Sequence, residues 1–314
     1  MTTPTVLVAT WRDGLFVVAG ETPEQELGGQ SVRALTPDGR GGALAVVNDR
    51  SLCRRGPDGG WSTIAITEVD LACCVPVGDV IYVGTDDARV LRVGANGALE
   101  QLRGFDAVAG RETWYAGSAV INGQRVGPPL GIRSITATPD GAVLLANVHV
   151  GGIPRSADGG ATWQPTICVD SDVHEVRAHS NRPGVVMAAA GIGLCISRDG
   201  GMTWNVEREG MHASYCSAVA FLGDDVLVCA AVDHFAAQAV IYRRRVDGSD
   251  SLAAIGGGLP AWTDGIVDTG CIATCGSAAA LADQKGNLYV SSDTGRSWSR
   301  RAGGMPTPIS VLIA

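Results

Sequence analysis

The stretch Ser156-Ala157-Asp158-Gly159-Gly160-Ala161-Thr162-Trp163 decides the fold, because the chain repeats it. It returns as Ser197-Arg198-Asp199-Gly200-Gly201-Met202-Thr203-Trp204 and as Ser291-Ser292-Asp293-Thr294-Gly295-Arg296-Ser297-Trp298. The pattern S-x-D-x-G-x-[T/S]-W describes a tight hairpin. Its Asp accepts backbone N–H groups of its own turn, its Gly supplies a positive φ, and its Trp packs between neighbouring sheets. This is structural chemistry, not catalysis. The first interval, from 156 to 197, is one blade of a repeat built on about 40–45 residues. The second is about twice as long, which predicts a blade without the motif between the last two copies.

These boxes resemble the Asp-box (BNR) repeat family, which includes sialidases, sortilin-type receptors and photosystem assembly factors. The resemblance implies an all-β propeller, an architecture related to WD40/YVTN-like repeats. Gly56-Pro57-Asp58-Gly59-Gly60-Trp61 reads as a degenerate box. Aligning the turns that follow each innermost strand places strand starts near Ser31, Leu71, Arg133, His174, Cys216 and Gly270. A seventh blade is composite: Thr5 to Gly28 supplies three outer strands and Pro308 to Ile313 the innermost one. The expectation is a seven-bladed β-propeller with Asp-box hairpins, closed by the C-terminal strand joining the N-terminal blade, six or eight blades being the alternatives. Closure removes the free sheet edges that template aggregation.

Composition fits one domain over residues 1–314. The chain is 46% hydrophobic and 18% charged, and its 43 glycines suit many turns. A net charge of -8 without a Lys/Arg cluster argues against nucleic acid, Arg243-Arg244-Arg245 being the longest basic run. The N-terminus lacks a basic n-region and an apolar h-region, and no apolar run reaches membrane-spanning length. Nine irregularly spaced cysteines suit reduced thiols and a cytoplasmic location. No glycine loop for phosphates is present, so no nucleotide cofactor is expected.

One segment breaks the rhythm. Residues 105–131 form a long inserted connection that reads as a lid over the channel mouth, with a surface decoration packed on its own aromatics as the alternative. Trp114 and Tyr115 lie in it as candidate substrate contacts.

Ligands of propellers gather on the face carrying the second-to-third strand loops and the connections between blades. His149, His174, His212 and His234 map there, whereas His179 maps to the opposite face. Imidazoles converging from separate blades suit a transition metal such as Fe, Cu or Zn. Geometrically this resembles the four-histidine iron site of carotenoid-cleaving propeller oxygenases, without a shared motif. Asp172 and Asp233 adjoin these histidines as candidate proton carriers, with Arg133 and Tyr215 as further catalytic candidates. Trp11, Arg12 and Asp268 map to the same face as substrate contacts, and Arg33 joins Arg12 and Arg133 as a cation able to grip an anion. The sialidase resemblance would give three arginines a carboxylate to bind, but the R-I-P motif that opens many sialidase domains is absent. Two readings of function follow: a small-molecule enzyme at the channel mouth, a His-ligated metal being one form of it, or a non-catalytic propeller that binds a ligand or a protein partner.

Overall fold

The computed structural model describes residues 4–20, 22–115, 119–121, 124–126 and 130–314. Seven four-stranded antiparallel blades form a ring. Blade one comprises Val32–Pro37, Ala43–Val47, Ser51–Arg55 and Trp61–Ile66; blade two, Leu71–Val77, Val80–Thr85, Val90–Val93 and Leu99–Gln101. Blade three runs from Ile132–Ala137 through Leu144–Val148 and Pro154–Ser156 to Gln164–Pro165, and blade four from Val173–Ala178 through Val186–Ala190 and Gly193–Ser197 to Asn205–Glu207. Blade five holds Tyr215–Leu222, Asp225–Ala231, Gln238–Arg245 and Ala253–Ala254, with Thr263–Asp264 added to its third strand; blade six holds Ile272–Cys275, Ala278–Ala282, Leu288–Ser291 and Ser299–Ala302. Blade five is the predicted blade without a box.

Blade seven closes the ring. Val6 pairs with Ile313 and Val8 with Val311, so the last strand, Pro308–Ile313, becomes the innermost strand beside Val6–Thr10. Among the described residues no helix is long and apolar enough to cross a membrane.

The three boxes fold alike. Asp158 accepts the Thr162 amide at 2.9 Å and the Thr162 hydroxyl at 2.6 Å, and Asp199 with Thr203 and Asp293 with Ser297 repeat the arrangement. Thr294 stands where the other boxes have glycine and takes the left-handed φ of 59°. Trp163 and Trp298 are buried, each indole N–H donating to a carbonyl of its own box, while Trp204 is half-buried and donates to the Thr166 hydroxyl of blade three.

The second strands Ala43–Val47, Leu144–Val148 and Val186–Ala190 are buried throughout, because each lies within a sheet packed on both faces by its neighbours. Polar side chains stitch the blades at their inner edges. Ser134 accepts the Val176 amide, Glu175 the Val219 amide and Ser310 the Leu35 amide.

The innermost strands also share a bulge near their start. The ladder slips at Ala72, Arg133, His174 and Ser217 in four successive blades. An extra residue in one strand turns its side chain away from the alternation of the rest. Here it puts Arg133 at the cavity and His174 against Asp172.

In the 105–131 segment, Phe105 and Trp114 are buried in one cluster with Trp163, the rings of Phe105 and Trp163 meeting edge to face at 5.1 Å. Arg111 lies over the Trp114 ring at 4.8 Å and donates to the Ala88 carbonyl. Its first part is therefore a wedge between blades two and three. Strands Ala119–Ile121 and Gln124–Val126 pair as a hairpin, and residues 116–118, 122–123 and 127–129 lie outside the described residues.

Candidate functional site

The face carrying the second-to-third strand loops, here called the top, holds a compact polar group between blades three and four. Asp172 ends a short 3-10 turn, Val169–Ser171, and sits at φ 51°, a left-handed conformation that Asp tolerates better than most side chains. Its amide donates to the Val169 carbonyl, and its own carbonyl accepts the Gly191 amide at 2.8 Å. The carboxylate thereby faces two imidazoles: Oδ2 is 3.3 Å from His174 Nε2 and Oδ1 is 3.8 Å from His149 Nε2.

Hydrogen bonding fixes the tautomers of both rings. His174 Nδ1 lies 2.6 Å from the Cys216 carbonyl oxygen, which can only accept, so Nδ1 carries a proton. Arg133 Nη1 lies 3.3 Å from His149 Nε2, and a guanidinium can only donate, so Nε2 accepts. His149 Nδ1 is buried without a partner among the described residues. In its neutral form His174 thus turns the Nε2 lone pair toward the Asp172 carboxylate, whereas the Nε2 lone pair of His149 faces Arg133, with Asp172 at 3.8 Å.

For His149, electrostatics agree with a neutral ring. Burial, followed by the positive charge of Arg133, pushes the His149 pKa down to about 3, so the ring is neutral across the physiological range. Asp172 is lowered although burial, the largest influence, works to raise it; a hydrogen bond from His174, which requires His174 to be the doubly protonated imidazolium, and nearby positive charge including Arg133 outweigh burial.

Three electron-pair donors therefore converge, all within 4.8 Å of one another. Ligand atoms held about 2.0–2.2 Å from one ion lie about 3–3.5 Å apart; the Asp172–His174 pair meets this at 3.3 Å, whereas His149, 3.8 Å from the other carboxylate oxygen, would have to close in to share the ion. Two histidines and one carboxylate also match a known donor set for Zn and non-haem Fe. The residues fit a divalent transition metal.

The other expected ligands stand apart. His212 is exposed, and its Nδ1 is engaged by the Tyr242 hydroxyl at 2.9 Å while Trp262 packs against the ring. Tyr242 lies on the third strand of blade five, which holds His212 away from the axis. His234 is exposed and lines the channel, outside the three-residue group. As expected, His179 lies on the opposite face, bonded to the Gly223 carbonyl.

Arg133 is the hub of the mouth. Its Nη2 donates to Asp268 at 3.2 Å and to the Thr269 hydroxyl at 3.1 Å. Thr269 in turn reaches the His174 carbonyl of blade four and the Ser217 carbonyl of blade five, so residues 268–270 of the blade-six connection cross the channel mouth. Below lies a cavity of about 550 Å³, lined at its mouth by Trp11, Arg33, Asp86, Arg133, His234 and Asp268. The His149–Asp172–His174 group borders this cavity through Arg133 rather than lining it.

Several expected roles change with the geometry. Asp233 is exposed and accepts the Phe235 amide at 2.8 Å, so it caps its own loop. The Tyr215 ring lies 4.5 Å from that of His174, tilted by 45°, and burial raises its phenol pKa strongly, which makes it a wall rather than a nucleophile. Trp114 is buried in the blade-two to blade-three cluster and offers no face to a ligand. Tyr115 is exposed and pairs through its backbone with Val150, beside His149. Trp11 is 48% exposed over Arg33, and Arg12 is exposed without lining the cavity. Glu175 escaped the sequence reading: fully buried, it accepts the Val219 amide, the Gly270 amide and the Arg177 guanidinium.

No protein-family model and no curated protein matches the sequence. Among solved structures, the chain superimposes on an ancestral GH74 enzyme with TM-score 0.61 at 13% identity over 93% of its length, and on the GH74 enzyme of Niastella koreensis with TM-score 0.58 at 14% identity over 91%. It spans 40% and 41% of those two proteins. The computationally designed Ika8 protein gives TM-score 0.57 at 12% identity, with 99% of this chain and 90% of that one covered. At such identities the likeness establishes the propeller fold alone.

Proposed function

We propose that this propeller is a metal-dependent enzyme acting on a small anionic molecule, with His149, Asp172 and His174 holding the ion. The observation that carries the proposal is the convergence of two imidazole Nε2 atoms on one carboxylate. Such a group repels itself unless a proton or a metal ion lies within it. A divalent transition metal bound there supplies a Lewis acid and an activated water.

The remaining chemistry belongs to the chain. The Cys216 carbonyl orients His174, as outer partners of metal-binding histidines generally do. Tyr215 covers one side of that ring and keeps solvent from it. Arg133, braced by Asp268 and Thr269, is placed to orient a substrate anion beside the three ligands. Nine unpaired cysteines suit a reducing, cytoplasmic setting.

The arginine-triad reading loses support. Arg33 is engaged by Asp86 and Arg133 by Asp268, leaving no cluster of uncommitted guanidiniums. The relation to Asp-box proteins remains a proposal resting on the repeated hairpin. A second reading, a non-catalytic propeller that binds a protein, is favoured by one observation: Trp11, Phe235 and Trp262 are exposed on the same face.

Co(II) substitution tests the first reading. The wild type is expected to develop visible d–d absorption saturating at one ion per chain, and Asp172→Asn and His174→Ala to lose it. Equal absorption in both variants would place the metal elsewhere.

A further inference from the structure

The cavity has an uneven wall. Its mouth carries guanidiniums from the innermost strands of blades one and three, Arg33, set against Asp86 and Asp49, and Arg133, set against Asp268. Leu35, Ala72, Ile132 and Ile309, from blades one, two, three and seven, line the cavity with apolar surface, and the Glu175–Arg177 pair of blade four lines it too. Pockets for small molecules typically have volumes of about 300–1,000 Å³, with an apolar wall and a few placed polar groups. At about 550 Å³, this one has that form.

Donor counting locates the charged end of a ligand. A guanidinium has five N–H groups; Arg133 commits two to Asp268 and Thr269 and, without a metal ion, one to His149, a contact that ligation of His149 Nε2 would release. At least two remain without a protein acceptor among the described residues, on a side chain that lines the cavity and reaches His149. A second anion can therefore be taken without breaking the Asp268 contact. A cationic head would instead meet the guanidinium.

We propose that the channel receives a small amphipathic carboxylic acid, its carboxylate on Arg133 next to the three-residue group and its hydrocarbon body in the channel along Ala72, Ile132 and Ile309. The inference deepens the reading of the top-face site and rests on it for the place of the reacting end.

The probes are acetate, hexanoate and decanoate below the micellar range, with decylamine as the charge-reversed control. Calorimetry on the metal-loaded wild type is expected to show affinity rising with chain length, by up to about fourfold for each fully buried methylene. Decylamine is expected not to bind. Arg133→Gln should weaken every carboxylate by about tenfold or more, as loss of a charge-assisted hydrogen bond does. Ala72→Phe, and independently Ile309→Phe, should remove the gain with chain length while leaving metal content unchanged, circular dichroism confirming a folded chain. Binding of decylamine equal to that of decanoate, chain-length dependence intact in both phenylalanine variants, or no carboxylate binding at all would overturn the proposal. The two readings fail separately. Arg133-dependent decanoate binding in a chain that takes up no metal supports the chamber and rejects the metal centre; stoichiometric metal without carboxylate binding does the reverse.

Discussion

Asp172 Oδ2 lies 3.3 Å from Nε2 of His174, on the side of the ring away from the carbonyl that holds its other nitrogen. A carboxylate and an imidazole lone pair are thus presented to a common point from the connection into blade four. Removing either donor should abolish the shared centre. Asp172→Ala is expected to weaken Zn(II) binding by more than about 100-fold in chelator competition, beyond what loss of an outer-shell partner costs. His212→Ala, 30 residues from its Tyr242 partner and outside the group, should bind as the wild type does. Equal losses in the two variants would return His212 to the ligand set.

Glu175 is a structural keystone. Its carboxylate lies wholly in the interior and joins blade four to Val219 of blade five and to Gly270 of the crossing loop. Glu175→Ala would strand two amides and the Arg177 guanidinium, a change that costs about 3–5 kcal/mol for a buried charge pair. The urea midpoint should fall accordingly, and an unchanged midpoint would show that the network is dispensable.

The repeated S-x-D-x-G-x-[T/S]-W hairpins give the fold an acid-sensitive component. For Asp199, burial works to raise the pKa, but the hydroxyl and amide of Thr203, with further bonds, bring it down to about 2 from 3.8. A folded-state pKa below the unfolded value contributes stability that is fully present above pH 3.8 and is lost as pH falls toward about 2. Asp199→Asn should therefore show a flatter decline of urea midpoint across that window than the wild type. An identical decline would mean that the box carboxylate does not couple folding to protons.

Thiol reactivity should report the ring's integrity. Seven of the nine cysteines are buried, and burial raises the Cys73 and Cys195 thiols to about 12; Cys168 and Cys275 are exposed. Since the thiolate is the reactive species, two groups should be alkylated quickly at neutral pH and all nine in denaturant. Rapid labelling of more than two in the native state would show that blades open.

The parts of this structure that were legible in the sequence are those written locally. The boxes declare themselves because Asp, Gly and Trp act within one turn, and six innermost strands begin within two residues of the positions read from the spacing. Distant partners decided the rest. Trp114 reads as a surface aromatic until Phe105 and Trp163 are seen to enclose it. His212 maps to the correct face but is drawn outward by Tyr242. The bulges at Arg133 and His174 reverse the simple alternation of a strand, and no residue type marks them. Glu175 did carry a signal: Glu175 and Arg177, two apart on one strand face, form the ion pair that makes a buried carboxylate tolerable.

Metal content tests the central claim most directly. Untagged protein incubated with Zn(II) or, anaerobically, with Fe(II), then freed of excess ion and measured by elemental analysis, should retain one ion per chain, and Asp172→Ala should retain none. Retention of no metal by the wild type, with thermal stability unchanged by metal addition, would contradict the assignment of His149, Asp172 and His174 as a metal centre.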